Sequence, residues 1–321
     1  MNERKQVVRY KKALSNEKNI LMGVPQGSCL GPLLFLAYVN DFPLLSDRYA
    51  TTLFADDCVI QFHGSDLSLL ITECNAELDK IIDWTRSNRL TVNVDKTNLM
   101  LISNVASTLP EDVIFDGHIL DIVSEIKFLG ITIDNDVKYD KHIQSIRIKI
   151  SKTIGIMRRL SCIVPLESLK TIYLSLINPL ILYCLPIFSA TYDIHLKPLC
   201  ILQNRAIRII SGKANELRVR LEPLYYQNNI LKVTDQYKLS LGCYIFKNRE
   251  ILDNYIVPHD HNTRFRNLPL APHERLRSTE QSVIYNAINI WRTLPQNLKD
   301  SVSINSFKFN YKRLLIDLYN Q

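Results

Sequence analysis

The chain is 321 residues long, 46% apolar and 22% charged, with 9 glycines and 13 prolines. This is globular composition, which excludes disordered and low-complexity classes and leaves room for one large domain or two ordinary ones. Seven scattered cysteines without a Cys-x-x-Cys pair speak against a disulfide framework or a zinc site, and the charged N-terminal stretch has no apolar signal region. The expectation is an intracellular protein of the nucleus or cytoplasm, not secreted, whose thiols are reduced and packed as small hydrophobes.

The net charge of +7 is unevenly spread. Residues 41–95 hold ten acids and four bases, whereas Lys138–Leu160 holds seven bases and the single acid Asp140. The first eighteen residues add six bases against two acids. An acidic patch flanked by basic ones suits a site that binds metal beside a polyanion, although each run by itself also reads as a solvated face. Two uncharged stretches, 19–40 and 171–192, are each 22 residues long, enough to cross a bilayer. Glycine and proline break the first; Asn178-Pro179 and Pro186 break the second. Both read as buried elements, not membrane spans.

In chain order, Ser28 is placed to cap a helix over Leu30–Asn40 that is apolar all round and therefore expected to be buried. Thr51–Ala55 and Cys58–Phe62 read as a hairpin about Asp56-Asp57. Apolar residues at Leu67, Leu70, Ile71, Cys74, Leu78, Ile81 and Ile82 mark one face of an amphipathic helix over Asp66–Arg86. Strands are expected at Leu90–Val94 and Asn98–Ile102 about Asp95-Lys96, and Asp116-Gly117 signals a type I′ hairpin between Val113–Phe115 and His118–Leu120. Ile126–Ile133 reads as one further strand. From Lys138 onward the pattern is helical, with Ile143, Ile146, Ile150, Ile154, Met157 and Leu160 on one face. More helices are expected over Leu166–Tyr183, Ile194–Ile210, Ile230–Arg249 and Ser282–Arg292. The predicted fold class is α+β: a front domain over 1–137 with a largely antiparallel sheet, then a helical region over 138–321.

The chemistry concentrates in Phe54-Ala55-Asp56-Asp57. Two adjacent carboxylates between apolar strands repel each other, and a hard divalent cation relieves that cost while keeping positions open for phosphates. Asp-Asp is also a common turn dipeptide, so company decides its meaning. Upstream stands Gly23-Val24-Pro25-Gln26-Gly27-Ser28-Cys29-Leu30-Gly31-Pro32, a tight loop whose backbone can approach a ligand and whose Gln26 amide both donates and accepts. Downstream, Trp84, Asn88, Leu90, Asn93, Lys96 and Thr97 place a lysine in a turn.

This order resembles the palm of reverse transcriptases, closest to the non-LTR (LINE-type) retrotransposon family. Pro25-Gln26-Gly27 with Leu30–Phe35 resembles motif B, Phe54–Asp57 motif C and Trp84–Thr97 motif D. Ile126–Ile131 resembles the stretch after the primer-grip hairpin. Arg205–Gly212 and Trp291-x₂-Leu294-Pro295 are looser matches to the C-terminal segment of such elements. The resemblance implies RNA-directed DNA polymerase activity with Mg²⁺ or Mn²⁺, an RNA template, a DNA primer and dNTPs. Asp56 and Asp57 would be metal ligands and Lys96 a catalytic residue near the triphosphate. Pro25, Gln26, Gly27, Ser28, Phe54 and Ala55 would line the nucleotide and template site. Lys141, Arg147, Lys149, Lys152 and Arg158 would lie on a thumb helix along the nucleic-acid backbone.

The family's motif A aspartate has no counterpart. Asp41 and Asp47 follow the Pro25-Gln26-Gly27 loop, and Glu3 lies in a stretch resembling the segment between motifs A and B. The chain is therefore expected to be an N-terminally truncated member, without motif A and the fingers, and catalytically incomplete by itself. The alternative is a non-enzymatic nucleic-acid-binding remnant that uses the basic helix. His259, His261 and His273 read as surface residues rather than metal ligands.

Overall fold

The structure, a computed structural model, describes residues 4–20, 23–25, 27–103, 110–189, 193–216, 218–253 and 282–320. The chain divides into two compact units, Met1–Val123 and Ser124–Gln321. The mixture of helix and strand agrees with an α+β class.

The front unit starts with a nested ribbon to which the sequence analysis assigned no element. Strands β1 (Arg4–Gln6) and β4 (Lys18–Ile20) pair antiparallel around an inner pair, β2 (Arg9–Tyr10) and β3 (Ala13–Leu14). Helix α1 (Gly31–Tyr38) follows the glycine loop. The N-cap position is Leu30, which offers no side-chain bond, and not Ser28 as expected; Ser28 Oγ instead accepts the Gly31 N–H at 3.0 Å from within the loop. The expected burial of this helix does not occur. Leu33 is 63% exposed and Leu36 53%, and within the helix only Gly31 is buried. An all-apolar sequence signals burial only where a neighbouring element covers it, and none does so among the described residues.

Strands β5 (Ala50–Phe54) and β6 (Asp57–Gln61) form the expected hairpin. Helix α2 (Leu67–Ser87) then runs nearly as predicted, its start fixed by Asp66, whose Oδ1 accepts the Ser68 and Leu69 N–H groups. Ile71, Cys74, Leu78, Ile81 and Ile82 form the buried stripe of α2 and pack with Phe42, Tyr49, Val113, Phe115 and Leu120. The expected strand at Leu90–Val94 is absent. Val94–Lys96 is instead a 3₁₀ turn whose backbone groups bond within the turn, Thr97 N to Val94 O at 2.9 Å. Only β7 (Asn98–Leu99) of the next predicted strand forms.

Strands β8 (Ile114–Phe115) and β9 (His118–Ile119) turn through Asp116 (φ +50°) and Gly117 (φ +79°), the two left-handed residues of a type I′ turn. The Asn75 side chain of α2 grips this ribbon, accepting from Ile114 N and donating to Asp112 O. Strand β10 (Asp121–Ile122) pairs parallel with β7. The expected single, largely antiparallel sheet is thus resolved into two-stranded pairs. Such pairs are marginal without a helix to pack on, and α2 supplies it for the β5–β6 and β8–β9 hairpins.

The back unit opens with β11 (Glu125–Phe128) and β12 (Ile131–Asp134), where a single strand was expected. Leu129 (φ +47°) and Gly130 (φ +82°) reverse the chain between them. This hairpin belongs with the helices, so the division precedes the position expected at 137/138. The buried Asp134 explains the attachment: its carboxylate accepts the Lys138 N–H at 2.8 Å and the Tyr139 N–H at 2.6 Å, shaping the entry into α3 (Asp140–Leu160). Helix α3 buries His142, Ile143, Ile146, Ile150, Ile154 and Met157, the expected stripe with one histidine added.

Helices α4 (Leu166–Ile172) and α5 (Asn178–Leu182) are joined by a wider π turn over Tyr173–Ile177 just before Pro179, where the proline lacks a backbone donor. Next come α6 (Leu185–Phe188), α7 (Asp193–Ile210), α8 (Glu222–Asn228), α9 (Val233–Lys247), α10 (Glu250–Asp253), α11 (Val283–Thr293), α12 (Gln296–Lys299) and α13 (Ile304–Asp317). Gln203 of α7 is the polar centre of this unit. Its Nε2 donates to Tyr173 Oη at 3.0 Å and Leu231 O at 2.9 Å, while its Oε1 accepts the Val233 N–H at 2.9 Å. No helix among the described residues is long and apolar enough to cross a membrane.

Candidate active site and basic helix

The carboxylate pair sits at the tip of the β5–β6 hairpin. Phe54 pairs with Asp57, so Ala55 and Asp56 form a two-residue turn and Asp57 opens the returning strand. Ala55 adopts φ +52°, a left-handed conformation that costs a residue with a Cβ about 1 kcal/mol. Phe54, Ala55, Asp56 and Asp57 are all exposed, Phe54 by 60%. The turn therefore presents both carboxylates to solvent, while Leu53 and Ile60 anchor the hairpin against the front core.

The glycine loop is shaped by Gly23 (φ +77°) and Gly27 (φ +82°). Ser28 N donates to Pro25 O at 3.1 Å. A Cβ at Gly31 would come within 2.8 Å of Ser28 Oγ, so the glycine is what lets the loop close onto α1. Gln26, the side chain expected to contact template or nucleotide, lies outside the described residues, as do His259, His261 and His273. Two contacts tie this region to α2: Tyr38 Oη donates to Asn88 O, and Trp84 Nε1 donates to Asp41 Oδ2 at 3.3 Å.

Lys96 ends the 3₁₀ turn, exposed, and no ion pair joins it to Asp56 or Asp57 among the described residues. Glu77 is the one buried carboxylate on α2, and its hydrogen bond with Lys80 at 2.8 Å holds it below the ordinary glutamate range. It does not join the hairpin pair. Among the described residues no three acidic, histidine or cysteine side chains converge on a point that would hold a metal ion. Asp56 and Asp57 have the hard oxygen chemistry that Mg²⁺ or Mn²⁺ takes, but they are an incomplete ligand set.

The basic residues of α3 are exposed, outside the buried stripe. Eleven residues is about three helical turns, so Lys141 and Lys152 share the outward face and Arg147 and Arg158 a flank. Lys141 pairs with Glu125 at 3.0 Å and Arg147 donates to Gln144 at 2.8 Å. Lys149, Lys152 and Arg158 have no ion-pair partner among the described residues. His142, not among the expected site residues, is buried in α3 with its ring 5.4 Å from that of Phe188. Burial first, and then the Lys149 charge, lower its pKa. A histidine in the i, i+4 register with Ile146 was the available signal. Of the seven cysteines, Cys74 is buried and Cys200 and Cys243 pack partly buried against the back core, as expected of small hydrophobes, whereas Cys29, Cys58 and Cys162 are exposed.

Residues 3–133 match the family described as reverse transcriptase (RNA-dependent DNA polymerase). That matched segment holds the glycine loop, the carboxylate turn and Lys96, and it is similar to the polymerases of mobile elements. Among its relatives, the "Probable RNA-directed DNA polymerase from transposon X-element" of Drosophila melanogaster is 28% identical over 221 residues, covering 65% of this chain and 24% of the relative. The "RNA-directed DNA polymerase from mobile element jockey" of the same species is 27% identical over 218 residues, 64% of this chain and 24% of the relative. The "Retrovirus-related Pol polyprotein from type-1 retrotransposable element R1" of Bradysia coprophila is 26% identical over 145 residues, 44% of this chain and 14% of the relative. The chain thus spans about a quarter of the length of the first two relatives, 24% in each case. No solved structure matches it.

Proposed function

We propose that this chain supplies part of the palm, together with the thumb, of an RNA-directed DNA polymerase that extends a primer 3′ end on an RNA template. The observation that carries the reading is the Asp56-Asp57 pair, held out at the tip of the β5–β6 hairpin within the segment matched to reverse transcriptases. Asp56 and Asp57 would hold Mg²⁺ or Mn²⁺, which when bound neutralises triphosphate charge and, as a pair of ions, serves both attacking and leaving oxygens. Pro25, Gln26, Gly27 and Ser28, with Phe54 and Ala55, would line the template and nucleotide site, with Asp57 beside the primer end. Lys96 would give a proton to the leaving pyrophosphate. Helix α3 would lie along the duplex, with Lys149, Lys152 and Arg158 on phosphates and Lys141 and Arg147 exchanging their present partners for them.

The exposed bases of α3 favour a second reading, in which the chain by itself binds nucleic acid through that helix without polymerising. Paired assays separate the two. Mn²⁺ titration followed by electron paramagnetic resonance is expected to show weak binding, lost when Asp56→Asn and Asp57→Asn are combined; unchanged binding in that variant overturns the metal assignment. Primer extension on RNA with Mg²⁺ is expected to fail with the chain alone, and synthesis abolished by Asp56→Ala would overturn the incomplete-site reading. Duplex binding should survive Asp56→Ala and weaken, with a smaller salt dependence, in Lys149→Ala/Lys152→Ala.

A further inference from the structure

The front ribbon, residues 4–20, takes no part in the front core. Every residue from Lys5 to Asn19 is exposed. The ribbon is held by its own backbone pairs and by Ser15, whose Oγ accepts the Val8 N–H at 2.9 Å while its N–H donates to Val8 O at 2.9 Å. A segment that contributes no buried surface yet keeps a defined shape is built for something outside the unit.

Its chemistry narrows what that is. Between residues 4 and 18 stand six bases and one acid, Glu17. Glu17 pairs with Lys5 at 2.9 Å, and Arg9, Lys11, Lys12 and Lys18 have no ion-pair partner among the described residues. At the tip, Tyr10 is 72% exposed and the Lys11 ammonium lies 5.5 Å from its ring centroid. Tyr10 pairs across the ribbon with Ala13, the smaller cross-strand neighbour, whereas Leu14 pairs with Arg9. The ring is therefore left uncovered by a bulky partner on its own face. Lys11 takes φ +54° so that the chain reverses immediately after the tyrosine, carrying Lys11 and Lys12 at the extreme end.

We propose that this ribbon is a contact surface for an unpaired nucleic-acid strand, with the Tyr10 ring stacking on a base and Arg9, Lys11 and Lys12 on the flanking phosphates. An aromatic face beside freely rotating ammonium groups fits unpaired bases, which expose their own faces, better than a duplex, whose bases are already stacked. An apolar protein partner fits poorly, because docking would strip water from four cations that have no ion-pair partner among the described residues. The site lies outside the carboxylate turn and rests on the reverse-transcriptase reading only for the expectation of a nucleic-acid partner.

Fluorescence anisotropy of the full chain with oligouridylate, oligothymidylate and a blunt duplex tests the proposal across a salt series. Tyr10→Ala is expected to weaken single-strand binding roughly tenfold on both oligomers, with Tyr10→Phe restoring it and duplex binding unmoved. Lys11→Gln/Lys12→Gln should reduce the slope of log affinity against log salt by about 1.4. The proposal is overturned if Tyr10→Ala binds single strands as the parent does, if the loss is equal on the duplex, or if the double variant keeps the parent's slope. None of these variants lies in the carboxylate turn. A failed Mn²⁺ titration therefore removes the metal assignment alone, and failed ribbon variants remove the ribbon alone.

Discussion

The front unit exposes the side chains that define it, whereas the back unit buries them. Asp56, Asp57, Lys96 and the basic ribbon all face solvent, and α1 leaves Leu33 and Leu36 uncovered over a core organised by α2 alone. In the back unit Ile150, Met157, Leu169, Phe188 and Phe307 are fully buried, and even the polar Gln203 is enclosed with its bonds satisfied. Recognisable chemistry therefore lies on the thinner scaffold, and packing on the unit with the fewer motifs. Exposed functional groups need only a correctly shaped turn, while a helical core needs many mutually fitted side chains.

Substitutions can break that contrast. The largest loss is expected for Gln203→Leu, which strands the Val233 N–H and removes the donor to the Tyr173 hydroxyl in the interior, while the Leu231 carbonyl keeps the Gln236 side chain. Roughly 3–5 kcal/mol should disappear from the back unit's unfolding free energy in urea; a loss below about 1 kcal/mol would mean the network relaxes or takes in water. Next, Ile150→Ala and Ile81→Ala should each cost about 2–5 kcal/mol, with Ile150 the larger because its surroundings are more completely enclosed. Equal losses in the two unfolding transitions would erase the asymmetry.

A smaller effect comes from His142. Its pKa is lowered in the fold, so the unfolded chain binds the extra proton more readily. Stability of the back unit should therefore fall as pH drops through about 6.5 and hold above it, and His142→Phe should flatten that limb of a pH–stability curve. The smallest change is expected at the carboxylate turn. Ala55→Gly removes the left-handed penalty and should stabilise the front unit by roughly 0.5 kcal/mol, measured by thermal unfolding. Destabilisation there would show that the turn is not held in the left-handed conformation.

Local patterns transferred well from sequence to structure. The Asp116-Gly117 turn, the cap at Asp66 and the stripes of α2 and α3 each depend on residues within a few positions of one another. The aromatic-Ala-Asp-Asp box likewise lands on a hairpin tip. The failures share a different cause. Ile126–Ile133 read as one strand because Leu129 gives no sign of a left-handed conformation, and Leu90–Val94 read as a strand although no partner stood ready to pair with it. Helix α13 went unmarked because Phe307, Tyr311 and Leu315 mix with charged residues that dilute the apolar pattern.

The sequence by itself determined the glycine loop, the aromatic-Ala-Asp-Asp box, the lysine turn and their order, because these are properties of residue identity and spacing. Only the tertiary structure decided that α1 is left bare, that Asp134 ties the β11–β12 hairpin to α3, and that Gln203 joins residues 173, 231 and 233. It also decided that the N-terminal bases stand on a self-supporting ribbon with Tyr10 at its tip. Burial and long-range hydrogen bonding depend on which elements meet, and no local pattern records that meeting.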